Sequence, residues 1–160
     1  MHDRFNFLNV RISITNFRHA LEQLTSLKYV VPAYICFPDA SVVAEASKNT
    51  RLKTILNSAM LTMPDGKPSQ LAARLQGYRE VSTVSGYDLC NSLLGTCMTH
   101  YFYGGDELLL KKVKANIILN HPMAKVLGYH SPPYLELDSI ESSLEIAADS
   151  AIDHCQRTSV

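Results

Sequence analysis

Short apolar runs alternate with helical patterns along this chain, and the alternation constrains its fold more than any other feature. The run Phe7–Thr15 has the β-branched and apolar residues typical of a strand, and Asn16 after it is a good N-cap for a helix. Strands that alternate with helices form largely parallel sheets with helices on both faces. The sequence therefore predicts an α/β, Rossmann-like three-layer fold. Further strands are expected at Tyr29–Phe37, Met60–Met63, Met98–Tyr103 and Ala124–Tyr129.

Capping residues and apolar spacing indicate where the helices lie. Asn49 and Asp106 are each placed to cap a helix, and Gly77 suits the end of one. Helices are expected at about Ala40–Ser47, after Asn49, at Ser69–Gln76, at Asp88–Leu94, from Asp106 to about Leu119, and from Asp138 onward. The residues expected to face inward include Leu71, Ala72 and Leu75 in one helix, and Leu109, Val113 and Ile117 in another.

The composition is that of a soluble globular protein and excludes some classes of partner. A length of 160 residues suggests one domain over residues 1–160, large enough for a sizeable core. The 15 basic and 15 acidic residues give a formal net charge of zero, and no basic run marks a polyanion site. No nucleic-acid partner is therefore expected.

Cysteine and histidine spacing argues against a metal site. The 4 cysteines form no CxxC pair and the 6 histidines form no HExxH motif, so neither structural zinc nor another cofactor is expected. The polar start of the chain does not look like a signal peptide, and no apolar run approaches the ~20 residues of a membrane span. We therefore expect a cytoplasmic protein with reduced thiols.

The hexapeptide Met63–Pro68 holds one carboxylate, Asp65, where a buried strand should end. Loops at strand ends carry much of the chemistry of α/β proteins. Asp65 can act there as a general base toward a substrate hydroxyl, or it can be only a turn residue before Gly66. The residues alone leave both interpretations open.

Two glycine-containing turns have the sequence of anion-binding loops. Gly86 comes just before a predicted helix, whose first N–H groups can face an anion, although Asp88 there is equally well explained as a partner of the helix dipole. Gly104 and Gly105 lie between a predicted strand and a helix. They do not form a GxGxxG motif, so a plain turn explains them better than a nucleotide site does.

A stiff, ring-bearing segment follows the last strand. Tyr129 and His130 can flank a ligand ring, and Ser131 and Pro132 begin a rigid loop. A lone histidine in this position is more often structural than catalytic. The chain lacks Asp-x-Asp, GxxxxGK[ST] and GxSxG motifs, so metal-dependent transfer, P-loop hydrolysis and serine esterase chemistry are poorly supported.

The order and spacing of these motifs resemble those of the WecG/TagA/CpsF glycosyltransferases, glycosyltransferase family 26. The resemblance covers nearly the whole chain. The matching segments are Asn49–Leu52, Leu56–Ala59, Pro64–Pro68, Val84–Leu89, Phe102–Gly105 and Gly128–Tyr134, together with the strand-like opening Asn9–Thr15.

The resemblance implies an inverting, metal-independent transfer of an N-acetylhexosamine, typically N-acetylmannosamine, from a UDP-sugar to a polyprenyl-diphosphate-linked sugar. Such products feed teichoic acid, enterobacterial common antigen or exopolysaccharide. It implies that Asp65 takes the proton from the acceptor hydroxyl. It also implies that the protein works at the cytoplasmic face of the membrane. A homo-oligomer is compatible with the sequence. The substrate-binding residues that it implies are Asp39, Gly66, Gly86, Asp88, Gly104, Gly105, Tyr129, Ser131 and Pro132.

The chain also departs from the family pattern. It has Phe37-Pro38-Asp39 where Thr-x-Asn is common and Thr83-Val84 where Arg-Val is usual, and it ends before the family's Val-Gly-x-Gly-x-Pro-x-Gln-Glu motif. A member that lacks the C-terminal segment is therefore expected. Two alternatives stay open: a catalytically impaired relic that binds a nucleotide sugar or a partner, and a nucleotide-cofactor-binding module resting on the Gly104-Gly105 turn.

Overall fold

A computed structural model describes residues 3–26 and 33–132 of the chain. The chain divides into two compact units, the first ending at Leu93 and the second beginning at Leu94. Helices and short strands make up both units, so the predicted α/β class is confirmed. The helix expected from Asp138 and the first part of the strand expected at Tyr29–Phe37 lie outside the described residues.

In its described part, the first unit holds two strand pairs and the helices around them. Strands β1 and β2 pair antiparallel, whereas β3 and β4 pair parallel. The elements in chain order are β1 Arg4–Phe7, β2 Val10–Ser13, α1 Phe17–Thr25, β3 Ile35–Cys36, α2 Ala40–Lys48, α3 Thr50–Ser58, β4 Leu61–Thr62, α4 Gly66–Leu75 and α5 Gly86–Leu94, whose last residue opens the second unit.

The second unit contains one β-α-β motif in its described part. Strand β5 spans Thr99–Tyr103, helix α6 spans Glu107–Asn120 and strand β6 spans Lys125–His130. The two strands run parallel, as their connection through a helix requires, and the register is irregular between His100 and Tyr101. Within the described ranges, the strands thus form three separate pairs, two of them parallel, where the sequence predicted a largely parallel sheet.

The predicted strand Phe7–Thr15 is wrong in its first part, because the chain reverses direction there. Leu8 and Asn9 have φ of 52° and 66°, and the flanking residues Phe7 and Val10 are paired in a tight hairpin. A two-residue hairpin turn with both φ values positive usually has Asn-Gly or Asp-Gly at its centre. Leu-Asn lacks that signal, so the turn was not predicted.

Two apolar clusters fill the first unit. The hairpin packs over α2, α3 and α4, and α1, β4 and α5 form the second cluster. Leu61 and Thr62 of β4 are almost wholly buried, so the turn that follows β4 starts from the core. The buried members are Phe5, Val10, Ile12, Val43, Ala46, Leu56, Ala73 and Val81 in the first cluster, and Ala20, Leu24, Leu61, Met63, Val84 and Leu89 in the second.

Helix α4 begins earlier and faces another way than the sequence predicted. It starts at Gly66 rather than at Ser69, and Leu71 and Leu75 are exposed. Ser69 and Ala73, four residues apart on one face, are fully buried instead. Small side chains on that face let the helix lie close to the core, which turns the leucines outward. Only Ala72 of the three expected residues packs partly against the core.

Helix α6 buries the stripe formed by Leu110, Val113 and Ile117, of which Ile117 is 5% exposed. The expected inward positions of Val113 and Ile117 are confirmed. The expected inward position of Leu109 is wrong, because the Leu109 side chain is 50% exposed and lies against the backbone of Gly105. None of the helices in the described ranges is long and apolar enough to cross a bilayer.

Candidate functional site

The parallel pairing of β3 and β4 brings two predicted site residues to the same edge of a sheet. The ladder continues one residue beyond the strands, where the Met63 N–H donates to the Cys36 carbonyl at 2.8 Å. Parallel strands end at one edge, and ligand sites of α/β proteins form there. Asp39, after β3, and Asp65, after β4, therefore leave the sheet side by side.

A third segment joins these two loops. The Val84 N–H donates to the Pro64 carbonyl at 3.1 Å, which holds the start of α5 beside the turn after β4. Gly86, the first residue of α5, packs on Phe37, since a Cβ on Gly86 would lie 3.4 Å from a carbon of that ring. We call residues 37–39, 63–65 and 84–86 the loop cluster.

The turn that carries Asp65 is rigid. Met63 and Pro64 are fully buried, and the Asp65 N–H donates back to the Met63 carbonyl at 2.9 Å. Gly66 opens helix α4 with φ of +79°, a conformation that costs an L side chain about 1–2 kcal/mol. Asp65 itself is half-buried at the end of this fixed backbone. The backbone that carries its carboxylate is thus fixed before any ligand binds.

Asp65 is the N-cap residue of α4, yet its side chain makes no capping hydrogen bond. An N-cap oxygen normally accepts from the second or third N–H of the helix, and the third residue here is Pro68, which has none. Four other helices in the described residues do have a capping side chain. These caps are Asn16, Asp39, Asn49 and Asp106, which accept from the N–H groups of His19, Val42, Leu52 and Leu109.

Asp39 and Asp88 are placed differently from Asp65. The Asp39 carboxylate accepts from the Ser41 hydroxyl at 2.6 Å and from the Val42 N–H at 2.8 Å, and these bonds lower its pKa. Asp88 is exposed in the first turn of α5, where its charge complements the helix dipole. Both residues thus have local structural roles, and their substrate-binding roles stay predictions.

One buried hydroxyl near this turn escaped the sequence analysis. Ser69 is fully buried one helical turn after Asp65, and its Oγ makes no hydrogen bond in the described part of the chain. The adjacent Gln70 donates to the Val81 carbonyl at 3.4 Å and accepts from Lys67 at 3.4 Å. Asp65 and Ser69 are four residues apart, which places them on the same side of a helix. The sequence indicates this proximity only if the start of α4 is placed correctly.

The second unit brings together the glycine turn and the loop after β6. The Gly104 N–H donates to the His130 carbonyl at 3.0 Å, and the Ser131 hydroxyl donates to the Gly105 carbonyl at 2.8 Å. Gly104 and Gly105 have φ of +113° and +72°. The Asp106 side chain caps α6, as predicted, by accepting from the Leu109 N–H at 2.6 Å. Pro132 follows Ser131 and is half-buried.

Tyr129 lies apart from that turn. Its ring stacks on Phe102 with a centroid distance of 5.4 Å, and Lys114 Nζ lies 5.9 Å from its centroid. Tyr129 therefore faces α6, and burial raises the pKa of its phenol. It borders an open cavity of about 480 Å³ between α6 and β6. His130, the next residue, stacks on Tyr103 instead.

No ionisable side chains in the described ranges are grouped as a metal site would require. In the first unit, the loop cluster gathers Asp39, Asp65 and Gly86, with Gly66 and Asp88 directly beside it. In the second unit, Gly104, Gly105 and Ser131 come together. The chemistry available in the first unit is that of one carboxylate without a capping partner beside the N-termini of three helices.

Comparison with known proteins places these motifs in a family context. The model of the glycosyl transferase WecG/TagA/CpsF family matches residues 5–155. A relative from Bacillus spizizenii (strain ATCC 23059 / NRRL B-14472 / W23) is 30% identical over 139 residues, which are 84% of this chain and 53% of the relative. One from Bacillus subtilis (strain 168) is 27% identical over 128 residues, 78% of this chain and 50% of the relative.

Both relatives are named N-acetylglucosaminyldiphosphoundecaprenol N-acetyl-beta-D-mannosaminyltransferase. The name describes transfer of an N-acetylmannosamine unit to a sugar carried on a polyprenyl diphosphate. The chain spans about half the length of the curated relatives that it matches.

Proposed function

Since the chain belongs to the WecG/TagA/CpsF family of glycosyl transferases, we propose that it transfers an N-acetylhexosamine from a UDP-sugar to a polyprenyl-diphosphate-linked sugar. An N-acetylmannosamine-like donor sugar is supported by the names of both relatives, which also support the acceptor class. The reaction serves the synthesis of cell-surface polysaccharide. The protein works at the cytoplasmic face of the membrane. Association of copies into a homo-oligomer is compatible with that location.

The observation that carries this proposal is the Asp65 carboxylate, held at a strand end without the hydrogen bond of a helix cap. In the proposed reaction, Asp65 accepts the proton of the acceptor hydroxyl while that oxygen forms a bond to the anomeric carbon. The bond between the anomeric carbon and the UDP oxygen breaks, and its electron pair leaves with UDP. Attack opposite to the leaving group inverts the anomeric configuration. Such a base typically accelerates a reaction by about 10²–10⁴-fold.

The helix N-termini around Asp65 support the same reaction. Helices α4 and α5 both begin at the loop cluster, and the first turn of α4 has no side-chain cap. N–H groups at helix starts stabilise anions, and a departing UDP is one. Gly66 and Gly86 are proposed as substrate-binding residues on this basis, and Asp39 and Asp88 are proposed because they lie in or directly beside the loop cluster.

The same proposal includes the remaining site residues and the layer arrangement of the fold. Gly104, Gly105, Ser131 and Pro132 are proposed as substrate-binding residues because the glycine turn and the loop after β6 are hydrogen-bonded together. Tyr129 is proposed for the same role through its ring. We also propose that residues 1–160 form one Rossmann-like three-layer domain.

Release of UDP tests the role of Asp65. Purified wild type, Asp65→Asn and Glu45→Gln are incubated with UDP-N-acetylmannosamine and a short-chain polyprenyl-diphosphate N-acetylglucosamine. Glu45 is an exposed residue of α2 and serves as the control. We expect Asp65→Asn to lose about 10²–10⁴-fold of the rate and Glu45→Gln to keep it. Equal rates for wild type and Asp65→Asn would rule out Asp65 as the base.

A second candidate function is a catalytically impaired relic that binds a nucleotide sugar. It is favoured by the Phe37 ring, which packs on Gly86 and fills the space beside it. Calorimetric titration with UDP-N-acetylhexosamines separates the two functions when it is combined with the UDP assay. Binding without turnover by wild type supports the relic, whereas turnover supports the transferase.

A further inference from the structure

Helix α6 has apolar residues on two opposite faces. The inner stripe of Leu110, Val113 and Ile117 is the buried one described above, and α6 packs on β6. The outer α6 face consists of exposed residues spaced three or four apart, as one side of a helix requires. Its members are Leu108, Lys111, Lys112, Ala115 and Leu119. Leu119 is 79% exposed, and the face is about 16 Å long at a rise of 1.5 Å per residue.

Basic residues predominate around this face, although the whole chain is neutral and the first turn of α6 carries the acidic Glu107. From Leu108 to Pro132 the sequence contains Lys111, Lys112, Lys114 and Lys125 and no aspartate or glutamate. Met123, just beyond the end of α6, is a further exposed apolar side chain. Exposed leucine, isoleucine and methionine side chains thus lie in the same stretch of sequence as four lysines, and this stretch contains no acidic residue.

This mixture fits a lipid surface better than a protein partner. Lysine is depleted in protein interfaces, and burying Lys111 and Lys112 at the centre of one would cost their hydration. At a bilayer, each lysine can lay its methylene chain along the apolar surface while its ammonium group stays among the headgroups. The leucines of the same face then enter the boundary of the acyl chains, as in helices that lie in the membrane plane.

We propose that the outer α6 face docks this protein on an anionic bilayer. Lys111 and Lys112 contact the headgroups, while Leu108 and Leu119 enter the interface. The inference rests on the proposed function, which requires a membrane-borne acceptor, and it identifies the surface that approaches that membrane.

Co-sedimentation with vesicles tests the docking face. The full chain is mixed with vesicles of phosphatidylcholine alone or of phosphatidylcholine with phosphatidylglycerol, without sugar lipid or nucleotide. Wild type is expected to bind the anionic vesicles and not the neutral ones. Lys111→Gln/Lys112→Gln should weaken binding by about fivefold for each charge removed, or roughly 25-fold in total. Equal binding to both vesicle types, or none to either, overturns the proposal.

Matched variants outside the face serve as controls. Lys48→Gln/Arg51→Gln removes the same charge from exposed positions of α2 and α3, and it should bind like wild type. Leu119→Gln should weaken binding severalfold, whereas Leu75→Gln on α4 should not, although Leu75 and Leu119 are 80% and 79% exposed. Circular dichroism checks that each variant is folded. Equal losses in the variants and their controls overturn the docking face.

Two further outcomes are separable. If sedimentation velocity shows a dimer that Leu119→Gln converts to a monomer, with vesicle binding unchanged, the face joins two copies and the bilayer proposal is wrong. If wild type binds vesicles normally but releases no UDP with a short-chain acceptor, the proposed transferase function fails while the docking face stands.

Discussion

Asp65 differs from the other capping residues because of its neighbour three positions on. Pro68 removes the third N–H of α4, which is the position that the four capping side chains use in their own helices, and the Asp65 side chain makes no cap bond. A general base needs its lone pairs available to the substrate. At the residue scale, the distinction between a turn aspartate and a reactive one rests on that missing bond.

Stability measurements can check the missing bond. Asn49 caps α3 by accepting from the Leu52 N–H at 3.0 Å, so Asn49→Ala should lower the free energy of unfolding by about 1 kcal/mol. Asp65→Ala should change it by less than about 0.5 kcal/mol, because no cap bond is lost. Urea unfolding monitored by circular dichroism provides both values. A loss for Asp65→Ala as large as that for Asn49→Ala would show that Asp65 does cap α4 in solution.

The Asp39 cap predicts a dependence of stability on pH. Hydrogen bonds from Ser41 and Val42 lower the pKa of Asp39 in the folded state. A depressed folded pKa contributes stability above the unfolded pKa of about 3.9, and that contribution is lost as the pH falls through the folded value. Asp39→Asn keeps a good cap but cannot titrate. Wild type should therefore lose more stability than Asp39→Asn between about pH 5 and pH 2. Urea unfolding at several pH values measures the free energy of unfolding of both proteins. Values that fall equally with pH in the two proteins would contradict this prediction.

At the scale of secondary-structure elements, one arginine joins the N-terminal hairpin to α3. Arg4 on β1 donates to the carbonyls of Asn57 and Met60, both at 3.1 Å, and also to that of Ala59. The carbonyls at the end of a helix have no partner within it, so a cation placed there satisfies them and complements the helix dipole. Asn57 adds a second link by accepting from the Arg11 N–H at 2.7 Å.

Replacing that arginine should loosen the hairpin. Arg4→Gln is expected to lower the free energy of unfolding by about 1.5 kcal/mol, as for a partly exposed charged hydrogen-bond donor. Arg18→Gln is the matched control, because Arg18 forms only an exposed pair with Glu22 at 2.8 Å and should show no measurable loss. Thermal unfolding of both variants compares them. Similar losses of unfolding free energy in the two variants would mean that the hydrogen bonds of Arg4 contribute no more to stability than an exposed surface charge does.

Sequence patterns predicted most elements, and they failed where packing or an unusual turn decided the outcome. The caps at Asn16, Asn49 and Asp106 were predicted because cap residues have strong local preferences. The turn at Leu8 and Asn9 was missed because neither residue is a glycine. The helix after Asp65 was placed to start at Ser69, so Pro68 lay outside it, and its effect on the cap could not be predicted.

At the scale of the whole molecule, the neutral net charge conceals a strongly uneven distribution. The chain has 15 basic and 15 acidic residues, yet the segment from Leu108 to Pro132 contains only basic ones among its charged side chains at neutral pH. Alternation of strands and helices predicted the α/β class. It could not predict which strands pair, because pairing depends on contacts between residues far apart in sequence.

Charge balance makes a prediction for the intact protein. With a pI near 7.0, copies carry little mutual repulsion at neutral pH, and the basic region of one copy can attract acidic regions of another. Solubility should therefore be lowest near pH 7, should rise at pH 9, and should also rise at pH 7 when salt screens the attraction. Static light scattering at fixed protein concentration measures this. A scattering signal that does not depend on pH or salt would contradict it.

The proline three residues after Asp65 also has a consequence for engineering this protein. Replacing Pro68 with a residue that has an N–H would allow the carboxylate to cap α4, and a cap bond is worth about 1 kcal/mol. Part of that gain would be offset, because proline also restricts the unfolded chain. A screen for thermal tolerance alone would then favour variants in which Asp65 is held by its own helix. If Asp65 is the base, those variants would be more robust proteins and slower enzymes.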